Sequence, residues 1–259
     1  MTADRVLITG ASAGIGAELA RYFAAEGCEL VLVARRLERL EALADSLERE
    51  FRVRCSAIAA DLGQPRAGRA LAADLERRGL AVDVLVNNAG FGDRGRFAEQ
   101  DDDRLRQMID LNVTELVGLT RALLPGMIAR GRGGVLNVAS TAAFQAGPYM
   151  AVYYATKAFV LSFTEALAVE LDGTGVGATC VCPGATHTEF AEVAGMADSK
   201  LFELSAMGAE PVARLAHRGF RRGRTVVVTG RVNRLGTIFA QLAPRALTRR
   251  MVARLQAPT

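Results

Sequence analysis

The sequence predicts an α/β fold with a doubly wound parallel sheet of about seven strands and helices on both faces. Seven short apolar runs recur, at residues 6–8, 30–33, 53–59, 82–86, 135–138, 178–181 and 226–228. Longer stretches with helical spacing lie between them, such as the leucines at positions 37, 40, 43 and 47 and the segment 102–130. Strands that are apolar throughout and alternate with helices are typical of a parallel sheet buried on both faces.

The composition favours a single globular domain spanning residues 1–259. Half of the 259 residues are hydrophobic and 23% are charged, which is enough to bury a substantial core. The formal net charge is +4, but the arginines are spread along the chain without an aromatic-basic cluster, so we expect no nucleic-acid partner. Only Lys157 and Lys200 are lysines among the 32 basic residues. A lysine in a chain that otherwise uses arginine suggests a position where a slender ammonium is needed.

The cysteines and the N-terminal residues of the sequence indicate the cellular compartment of the protein. Cys28, Cys55, Cys180 and Cys182 lie on or beside predicted strands, without a CxxC pair or a metal-like histidine spacing. This pattern predicts reduced core thiols and no metal site. The sequence starts with a strand pattern instead of a charged-then-apolar leader, and no apolar run approaches the roughly 20 residues of a membrane span. We therefore expect a cytoplasmic protein without a membrane span.

A glycine-rich turn follows the first predicted strand directly and leads into a helical pattern at residues 17–26. Unpaired N–H groups and a partial positive charge at a helix N-terminus favour a pyrophosphate, and glycines allow it to approach closely. We expect a dinucleotide here, although a glycine motif alone is equally compatible with a turn that binds nothing. The residues expected to contact it are Gly10, Ser12, Ala13, Gly14, Ile15 and Gly16.

The second predicted strand ends at Arg35 and Arg36. Arg35 stands 19 positions after Gly16, close to the roughly 20 at which dinucleotide folds place the group that reads the adenosine ribose. An acidic residue there would bind the 2′-hydroxyl and repel a 2′-phosphate, whereas a guanidinium can bind phosphate oxygens through two hydrogen bonds. We therefore expect NADP(H) in preference to NAD(H). The alternative is that both arginines only cap solvent-facing turns.

Tyr153 and Lys157 are four residues apart in a segment with helical spacing, 153–171, which puts both side chains on one face. A phenol with a pKa near 10 is a poor base at neutral pH, and a neighbouring ammonium lowers that pKa by stabilising the phenolate. A Tyr-Lys pair alone is more often an ordinary helix surface, so its meaning depends on the surrounding motifs. Tyr154 is not four residues before the lysine, and we expect it to pack against the pocket or line it.

Together these motifs resemble those of the short-chain dehydrogenase/reductase family. Residues 9–16 have the family's TGxxxGxG form, and residues 87–90 are similar to its NNAG motif. Tyr153 and Lys157 are similar to its YxxxK pair, and residues 183–188 resemble its PGxxxT segment. The resemblance covers nearly the whole chain, with the motifs in the family's order, and it implies a Rossmann-like fold.

The resemblance also implies a role for each matched residue. Ser140, 13 positions before Tyr153, would hold the substrate oxygen, and Lys157 would also bind the nicotinamide ribose. Asn112 would connect the lysine through water to solvent, although an asparagine inside a helix is also compatible with local hydrogen bonding. Further cofactor contacts are implied for Asp61, Leu62, Asn88, Ala89, Gly90, Pro183, Gly184, Thr186 and Thr188.

The activity implied is hydride transfer between C4 of nicotinamide and a carbonyl or carbinol carbon, with Tyr153 as general acid in reduction or general base in oxidation. The sequence leaves the direction open. One alternative is a catalytically silent NADP-binding sensor or scaffold, which the full set of Asn112, Ser140, Tyr153 and Lys157 argues against. Another is an epimerase or dehydratase, but those relatives usually carry an added substrate domain for which this chain has no room. His187 is expected to have no catalytic or metal-binding role.

Two segments are expected to shape the pocket and the surface. A substrate lid is predicted at about 185–210, because residues 183–210 are too long for an ordinary connection. The residues expected to line the pocket are mainly apolar and suit a hydrophobic ketone, aldehyde or 3-oxoacyl thioester. They are residues 141–146, Tyr149, Phe190, Met196, Leu201, Phe202 and Met207.

The last predicted element is a basic amphipathic segment at 233–259. Three placements stay open for it: on its own domain, on a partner subunit, or on a membrane surface as a peripheral contact. The family resemblance further implies a homodimer or homotetramer, built partly on the helix predicted at 102–130.

Overall fold

A computed structural model describes residues 4–196 and 206–257 of the chain. Its main element is a sheet of seven parallel strands in the order β3-β2-β1-β4-β5-β6-β9. These strands are β1 (Arg5–Thr9), β2 (Glu29–Ala34), β3 (Cys55–Ala59), β4 (Val84–Asn87), β5 (Gly133–Val138), β6 (Val176–Cys182) and β9 (Val226–Val228). A separate parallel pair consists of β7 (Thr186–His187) and β8 (Met207–Gly208). The predicted seven-stranded parallel sheet is confirmed.

Helices connect the strands and cover both faces of the sheet. Within the described ranges they are α1 (Gly14–Ala25), α2 (Leu37–Phe51), α3 (Ala67–Arg77), α4 (Asp102–Ile109), α5 (Glu115–Arg130), α6 (Ala151–Glu170), α7 (Glu189–Val193), α8 (Ala209–Arg221), α9 (Arg231–Leu242) and α10 (Arg245–Gln256). The lid predicted at about 185–210 contains β7, α7 and β8, and α8 starts inside it. Leu201 and Phe202, which were expected to line the pocket, lie outside the described residues.

Both faces of the sheet are buried. Val6 and Ile8 of β1 pack on one face with Phe23 of α1, in a cluster that also includes side chains of α2 and α8. Leu7, which points to the other face, packs in a second cluster with Leu119 of α5. Successive strand residues alternate between the two faces, so each position needs an apolar side chain. This burial explains the continuous apolar runs of the sequence.

Two predicted helical segments are interrupted. The segment 102–130 is not one α-helix, because a π-helical turn, Asp110–Thr114, separates α4 from α5. The C-terminal amphipathic segment consists of two helices, α9 and α10, with extended backbone at Ala243 and Pro244 between them. Proline disfavours helical geometry in the residue before it, which explains why α9 ends there.

The cysteines are free thiols. Cys28, Cys180 and Cys182 are buried and Cys55 is half-buried. Burial raises the pKa of the Cys28 thiol to about 11 and that of the Cys55 thiol to about 12. In the described part of the chain, no helix is both long enough and apolar enough to cross a bilayer.

The order of the strands fixes the position of the site. From β1 the chain first adds β2 and β3 on one side, and then β4, β5, β6 and β9 on the other. The connections after β1 and β4 therefore diverge and leave a crevice at the carboxyl ends of these strands. Open α/β sheets bind ligands at such a reversal of strand order.

Candidate active site

A cavity of about 550 Å³ opens at the carboxyl ends of β1, β2, β4, β5 and β6, within the usual size range of cofactor and substrate sites. The structure brings nearly all the sequence-predicted site residues to its wall. Among the predicted catalytic and cofactor-binding residues, Gly16 and Asn112 are the two that do not line it.

The glycine-rich turn after β1 is closely packed on itself. Gly10 and Gly14 have φ angles of +65° and +57°, in the left-handed region that favours glycine. A Cβ atom on Gly16 would lie 2.4 Å from the Gly10 carbonyl oxygen, and one on Gly14 would lie 2.8 Å from the Thr188 methyl carbon. Side chains at these positions would therefore force the turn apart. With glycines, the N-terminus of α1 faces the cavity.

Asn88 joins the ends of β1 and β4. Its side-chain amide donates to the carbonyl oxygens of Thr9 (2.9 Å) and Gly10 (3.2 Å). The backbone N–H groups of Asn88 and Ala89 donate in turn to Thr9 Oγ1, each at 3.0 Å. The NNAG residues therefore hold the glycine-rich turn in place at the centre of the sheet.

Asn87 acts on the other side of β4. Its buried amide donates to Asn137 Oδ1 of β5 at 2.9 Å and to Thr120 Oγ1 of α5 at 3.0 Å. These hydrogen bonds link two strands and a helix, in agreement with the structural role that the family resemblance implies.

Asp61 and Leu62 line the cavity just after β3. The Asp61 carboxylate accepts hydrogen bonds from the backbone N–H of Gly63 at 3.0 Å and from the Gln64 amide at 3.2 Å. Asp61 thereby shapes the loop that forms this wall.

The basic residues after β2 differ in their partners. Arg35 is exposed at the cavity wall and has no hydrogen bond or ion pair with any described residue. Arg36 donates to Ser12 Oγ at 3.0 Å and forms an ion pair with Glu189 at 2.8 Å. Glu189 also pairs with Arg39 at 2.5 Å, and hydrogen bonds from both guanidinium groups hold the pKa of its carboxyl below the usual value. Glu189 was not predicted from the sequence. The feature that could have indicated it is its position as an acidic residue directly after Thr188, at the start of the predicted lid.

Tyr153 lies in the first turn of α6, buried at the wall of the cavity, with the Ser140 side chain near enough to its hydroxyl to lower the phenol pKa. The Lys157 ammonium lies 5.8 Å from the centre of the Tyr153 ring and donates to the Val138 carbonyl oxygen at 2.9 Å. Ser140 Oγ also accepts from the Ala142 N–H at 3.1 Å, which fixes the turn after β5. Three of the four predicted catalytic residues, Ser140, Tyr153 and Lys157, therefore line the same cavity although they come from two separate elements.

Burial sets the protonation of this group. It raises the pKa of Tyr153 to about 12, against the opposing effect of the Ser140 hydrogen bond. It lowers the pKa of Lys157 to about 8, against the opposing effect of the nearby Cys180 and Cys182 thiols. Burial of the ring dominates the Tyr153 pKa in this structure, so the expected stabilisation of the phenolate by Lys157 stays a prediction. Tyr153 is a neutral phenol at neutral pH.

Asn112 lies in the π-helical turn between α4 and α5 and is only 1% exposed. Its amide exchanges two hydrogen bonds with the Phe91 backbone, at 2.9 and 3.1 Å, and donates to Thr156 Oγ1 at 3.1 Å. It thus joins the loop after β4 to the residue that precedes Lys157. A Cβ on Gly90 would lie 2.8 Å from Asn112 Oδ1, so this loop has no room for a side chain there.

The segment after β6 forms the opposite wall. Pro183, Gly184, Thr186 and Thr188 line the cavity, and Thr186 Oγ1 donates to the Gly184 carbonyl at 3.0 Å. A Cβ on Gly184 would lie 2.4 Å from the amide nitrogen of Asn233, the third residue of α9. The first C-terminal helix therefore packs directly behind the residues predicted to bind the cofactor.

The second C-terminal helix supports the same cavity at Tyr154. Tyr154 is buried at the cavity wall, and its hydroxyl accepts a hydrogen bond at 2.5 Å from the amide of Gln256, which is fully buried near the end of α10. Arg94 reinforces this arrangement by donating to the backbone carbonyls of Gln256, Ala257 and Gly195. Neither Arg94 nor Gln256 was predicted from the sequence, because both contact residues that are distant in sequence.

The rest of the cavity wall is mostly apolar. The residues concerned are Phe91, Ala142, Phe190, Ala191, Val193 and Met196. Two polar residues of α4, Arg104 and Gln107, were not predicted to be there. The Arg104 guanidinium already forms hydrogen bonds within the protein, since it donates to Asp93 Oδ1 and to the Val193 carbonyl oxygen, each at 2.7 Å.

Several residues predicted for the pocket lie elsewhere. Residues 143–146, Tyr149 and Met207 are not among the described residues that line the cavity. The Tyr149 backbone forms a strained turn with φ of +67°, and its carbonyl oxygen accepts the Gly95 N–H at 2.9 Å. His187 lies in β7 with an exposed side chain. The described residues contain no cluster of three or more metal-binding side chains.

A glycine-rich turn at a helix N-terminus, opening into the same cavity as a buried Tyr-Lys-Ser group, defines a dinucleotide-dependent oxidoreductase. The family described as "short chain dehydrogenase" matches residues 4–198. The chain therefore belongs to the short-chain dehydrogenase/reductase family, as its motifs predicted, and is an oxidoreductase that acts on CH–OH or C=O groups.

Among known relatives, a sulfoacetaldehyde reductase from Chromohalobacter salexigens is 44% identical over 189 residues, which cover 72% of this chain and 74% of the relative. A short-chain dehydrogenase from Sphingobium yanoikuyae, solved in complex with NADPH, is 35% identical, with a TM-score of 0.82 and coverage of 99% and 98%. A bulky-bulky ketone specific alcohol dehydrogenase from Comamonas testosteroni is 32% identical, with a TM-score of 0.78 and coverage of 92% of both chains.

Proposed function

We propose that this protein is an NADP(H)-dependent oxidoreductase that interconverts a hydrophobic ketone or aldehyde and the corresponding alcohol. The observation that carries the proposal is the meeting of Tyr153, Ser140 and Lys157 in the cavity that also receives the N-terminus of α1. A dinucleotide bound along this cavity would extend from the rim at Arg35 to the buried tyrosine.

The residues present fit NADP(H). Closely packed glycines and the N-terminus of α1 suit a pyrophosphate, and Arg35 with Arg36 supplies positive charge where a 2′-phosphate would lie. Thr186, Thr188 and Lys157 line the same cavity, where the two threonines would contact the carboxamide of the nicotinamide and Lys157 would contact its ribose. The NADPH complex of the similar Sphingobium enzyme supports this assignment. When bound, the cofactor supplies or accepts the hydride.

In the direction of reduction, side chains of the protein supply the proton and stabilise the charge that remains. The Ser140 hydroxyl orients the substrate oxygen, and the neutral Tyr153 phenol donates its proton to that oxygen as the alcohol forms. The Lys157 ammonium, 5.8 Å from the ring centre, stabilises the phenolate that remains. Oxidation uses the same groups in reverse, with Tyr153 as the base.

The substrate end of the cavity favours an uncharged, hydrophobic compound. Its wall is built mainly from aromatic and aliphatic side chains, and the charge of its one described cation outside the cofactor region, Arg104, is already paired with Asp93. An anionic substrate such as sulfoacetaldehyde would need a free cation at this place. The bulky ketones of the Comamonas enzyme are therefore the closer analogy.

The test is NADPH consumption by the full chain against chain-length series of ketones, aldehydes and 3-oxoacyl thioesters. We expect turnover of hydrophobic members and a loss of about 10²- to 10⁴-fold in Tyr153→Phe, with NADPH binding retained. Tyr22→Phe is the matched control, because the Tyr22 hydroxyl bonds Glu210 outside the cavity. A Tyr153→Phe enzyme as active as the wild type would refute the mechanism. NADPH binding without turnover across the whole panel would favour a sensor.

A further inference from the structure

The two C-terminal helices expose apolar side chains on their outer surface. In α9 the exposed residues are Val232, Leu235, Ile238, Phe239 and Leu242, and in α10 they are Leu247 and Met251. At 100° per residue, the five of α9 fall within an arc of about 120° on the helix surface. We call these seven residues the C-terminal face.

The exposure of this face is high and is concentrated in one part of the chain. Leu242 is 81% exposed, and Val232 is 77% exposed. The inner sides of the same helices are buried, through Thr237 in α9 and Thr248 and Val252 in α10. Each helix is therefore docked on the protein by one side, while the side away from the protein is apolar. Exposed apolar patches of this kind mark interaction sites.

The charge around the C-terminal face has one sign. Residues 231–257 contain six arginines and no acidic residue, and without these six the chain's formal net charge of +4 would be −2. In the described ranges none of the six forms an ion pair. In α10, Arg250 and Arg254 fall on the same side as Leu247 and Met251 at 100° per residue. The excess of positive over negative charge is thus carried by the segment whose apolar side chains are exposed.

We propose that the C-terminal face docks on the surface of a bilayer that contains anionic phospholipids, with α9 and α10 lying in the plane of the interface. Arginines bind the phosphate groups of lipids while neighbouring apolar side chains enter the acyl boundary, which is the pattern of an interfacial amphipathic helix. A second copy of the chain fits less well, because a two-fold interface would bring unpaired arginines such as Arg250 and Arg254 against those of the other copy. A nucleic acid would pair with the arginines but would leave the apolar stripe exposed.

Docking would also place the catalytic cavity beside the membrane. The inner sides of the same helices contact the cavity wall, through Asn233 against Gly184 and through Gln256 against Tyr154. A hydrophobic substrate dissolved in the bilayer would then be close to the site. This consequence rests on the proposed function, whereas membrane binding itself does not.

The test is cosedimentation of the full chain with vesicles of phosphatidylcholine alone or with about one third phosphatidylglycerol. We expect binding to the anionic vesicles that weakens as salt is raised, and little binding to the neutral ones. The double variant Val232→Ser/Leu242→Ser should bind at least about tenfold more weakly. Its matched control is Val169→Ser/Phe97→Ser, which removes two apolar side chains of 77% and 64% exposure from other surfaces and should bind like the wild type. Reduction of a soluble ketone without vesicles, measured in parallel, reports on the proposed function separately.

Three results would overturn the proposal. The first is no binding to anionic vesicles at low salt. The second is binding that the C-terminal variant and its control reduce equally, which would exclude the C-terminal face as the contact. The third is a dimer in solution that Val232→Ser/Leu242→Ser dissociates, combined with no vesicle binding, which would make a second copy of the chain the occupant.

Discussion

The Glu189 carboxylate lies 2.8 Å from the Arg36 guanidinium and ties the first residue of α7 to the loop after β2. The same carboxylate binds Arg39, so one acidic residue of the lid neutralises two cations beside the predicted 2′-phosphate position. A 2′-phosphate bound at the predicted position would therefore compete with Glu189 for the same guanidinium groups. We expect Glu189 to be a determinant of NADPH affinity.

Replacing Glu189 by Gln should strengthen NADPH binding by about three- to tenfold, because two exposed cations lose an internal counter-ion. NADH binding should change little, since NADH has no 2′-phosphate. The measurement is the dissociation constant of each nucleotide by fluorescence titration at low and moderate salt. Glu192→Gln, on the same short helix, is the matched control. Weaker NADPH binding in Glu189→Gln would mean that the carboxylate orients Arg36 for phosphate.

Replacing Arg35 by Asp should reverse the cofactor preference. The variant loses a charge-assisted hydrogen bond and gains a repulsive charge, so we expect NADPH affinity to fall by about 100-fold and NADH affinity to hold or rise. Arg69→Asp makes the same charge change on α3, away from the cavity, and should leave both affinities unchanged. If Arg35→Asp kept the preference for NADPH, Arg36 and Arg39 would be the groups that read the phosphate.

The pH dependence of reduction should follow Lys157. Tyr153, with a pKa of about 12, stays protonated across the working range, whereas Lys157, with a pKa of about 8, loses its charge within that range. Reduction should therefore be nearly constant below pH 8 and slow above it, as the stabilising ammonium disappears. Oxidation should instead rise with pH, because Tyr153 must lose its proton to act as the base. The profiles of kcat/KM in both directions check this, and a reduction rate that is flat to pH 10 would exclude Lys157 as the titrating group.

The buried Lys157 should also lower the free energy of unfolding of the protein at neutral pH. Its folded pKa of about 8 lies below the usual 10.5, so the folded state opposes its protonation at neutral pH by about 3 kcal/mol. Lys157→Met removes that cost and loses the hydrogen bond to Val138, worth about 1 kcal/mol. We expect the inactive variant to be about 2 kcal/mol more stable than the wild type at pH 7.

This stability difference has a defined pH window. Between pH 8 and 10.5 the unfolded state binds the proton that the folded state does not, so the wild type gains stability as pH rises and the advantage of Lys157→Met disappears. Urea unfolding of both proteins at pH 7 and pH 10 measures the change. A variant less stable than the wild type at pH 7 would show that the lysine's hydrogen bond outweighs its desolvation.

The sequence was informative where structure depends on local pattern. The apolar strand runs and the glycine-rich turn consist of consecutive residues, and Tyr153 and Lys157 are only four residues apart, so each can be recognised in a short stretch of sequence. Contacts between distant segments left no comparable pattern, which is why Glu189 and Gln256 were not found. The extra residue of the π-helical turn, which aims Asn112 inwards, leaves the 3.6-residue periodicity on either side almost unchanged.

The pKa of Tyr153 in the folded protein could not be predicted from the sequence. Its value depends on how completely the fold removes water from the ring, and spacing alone carries no measure of burial. The break before Pro244 was not predicted, although a proline in the middle of an amphipathic segment favours two helices over one.

The pairing of β7 with β8 joins Thr186 to Met207 and His187 to Gly208, so the two ends of the segment between them are held together. A segment closed at its base in this way can change in length or composition at little entropic cost to the rest of the fold. The predicted cofactor contacts Thr186 and Thr188 lie at or next to this closed base. Substitutions, insertions or deletions between β7 and β8 can therefore change which substrate is accepted while the hydride transfer is kept. We expect related enzymes to have diverged in substrate specificity mainly through changes in this segment.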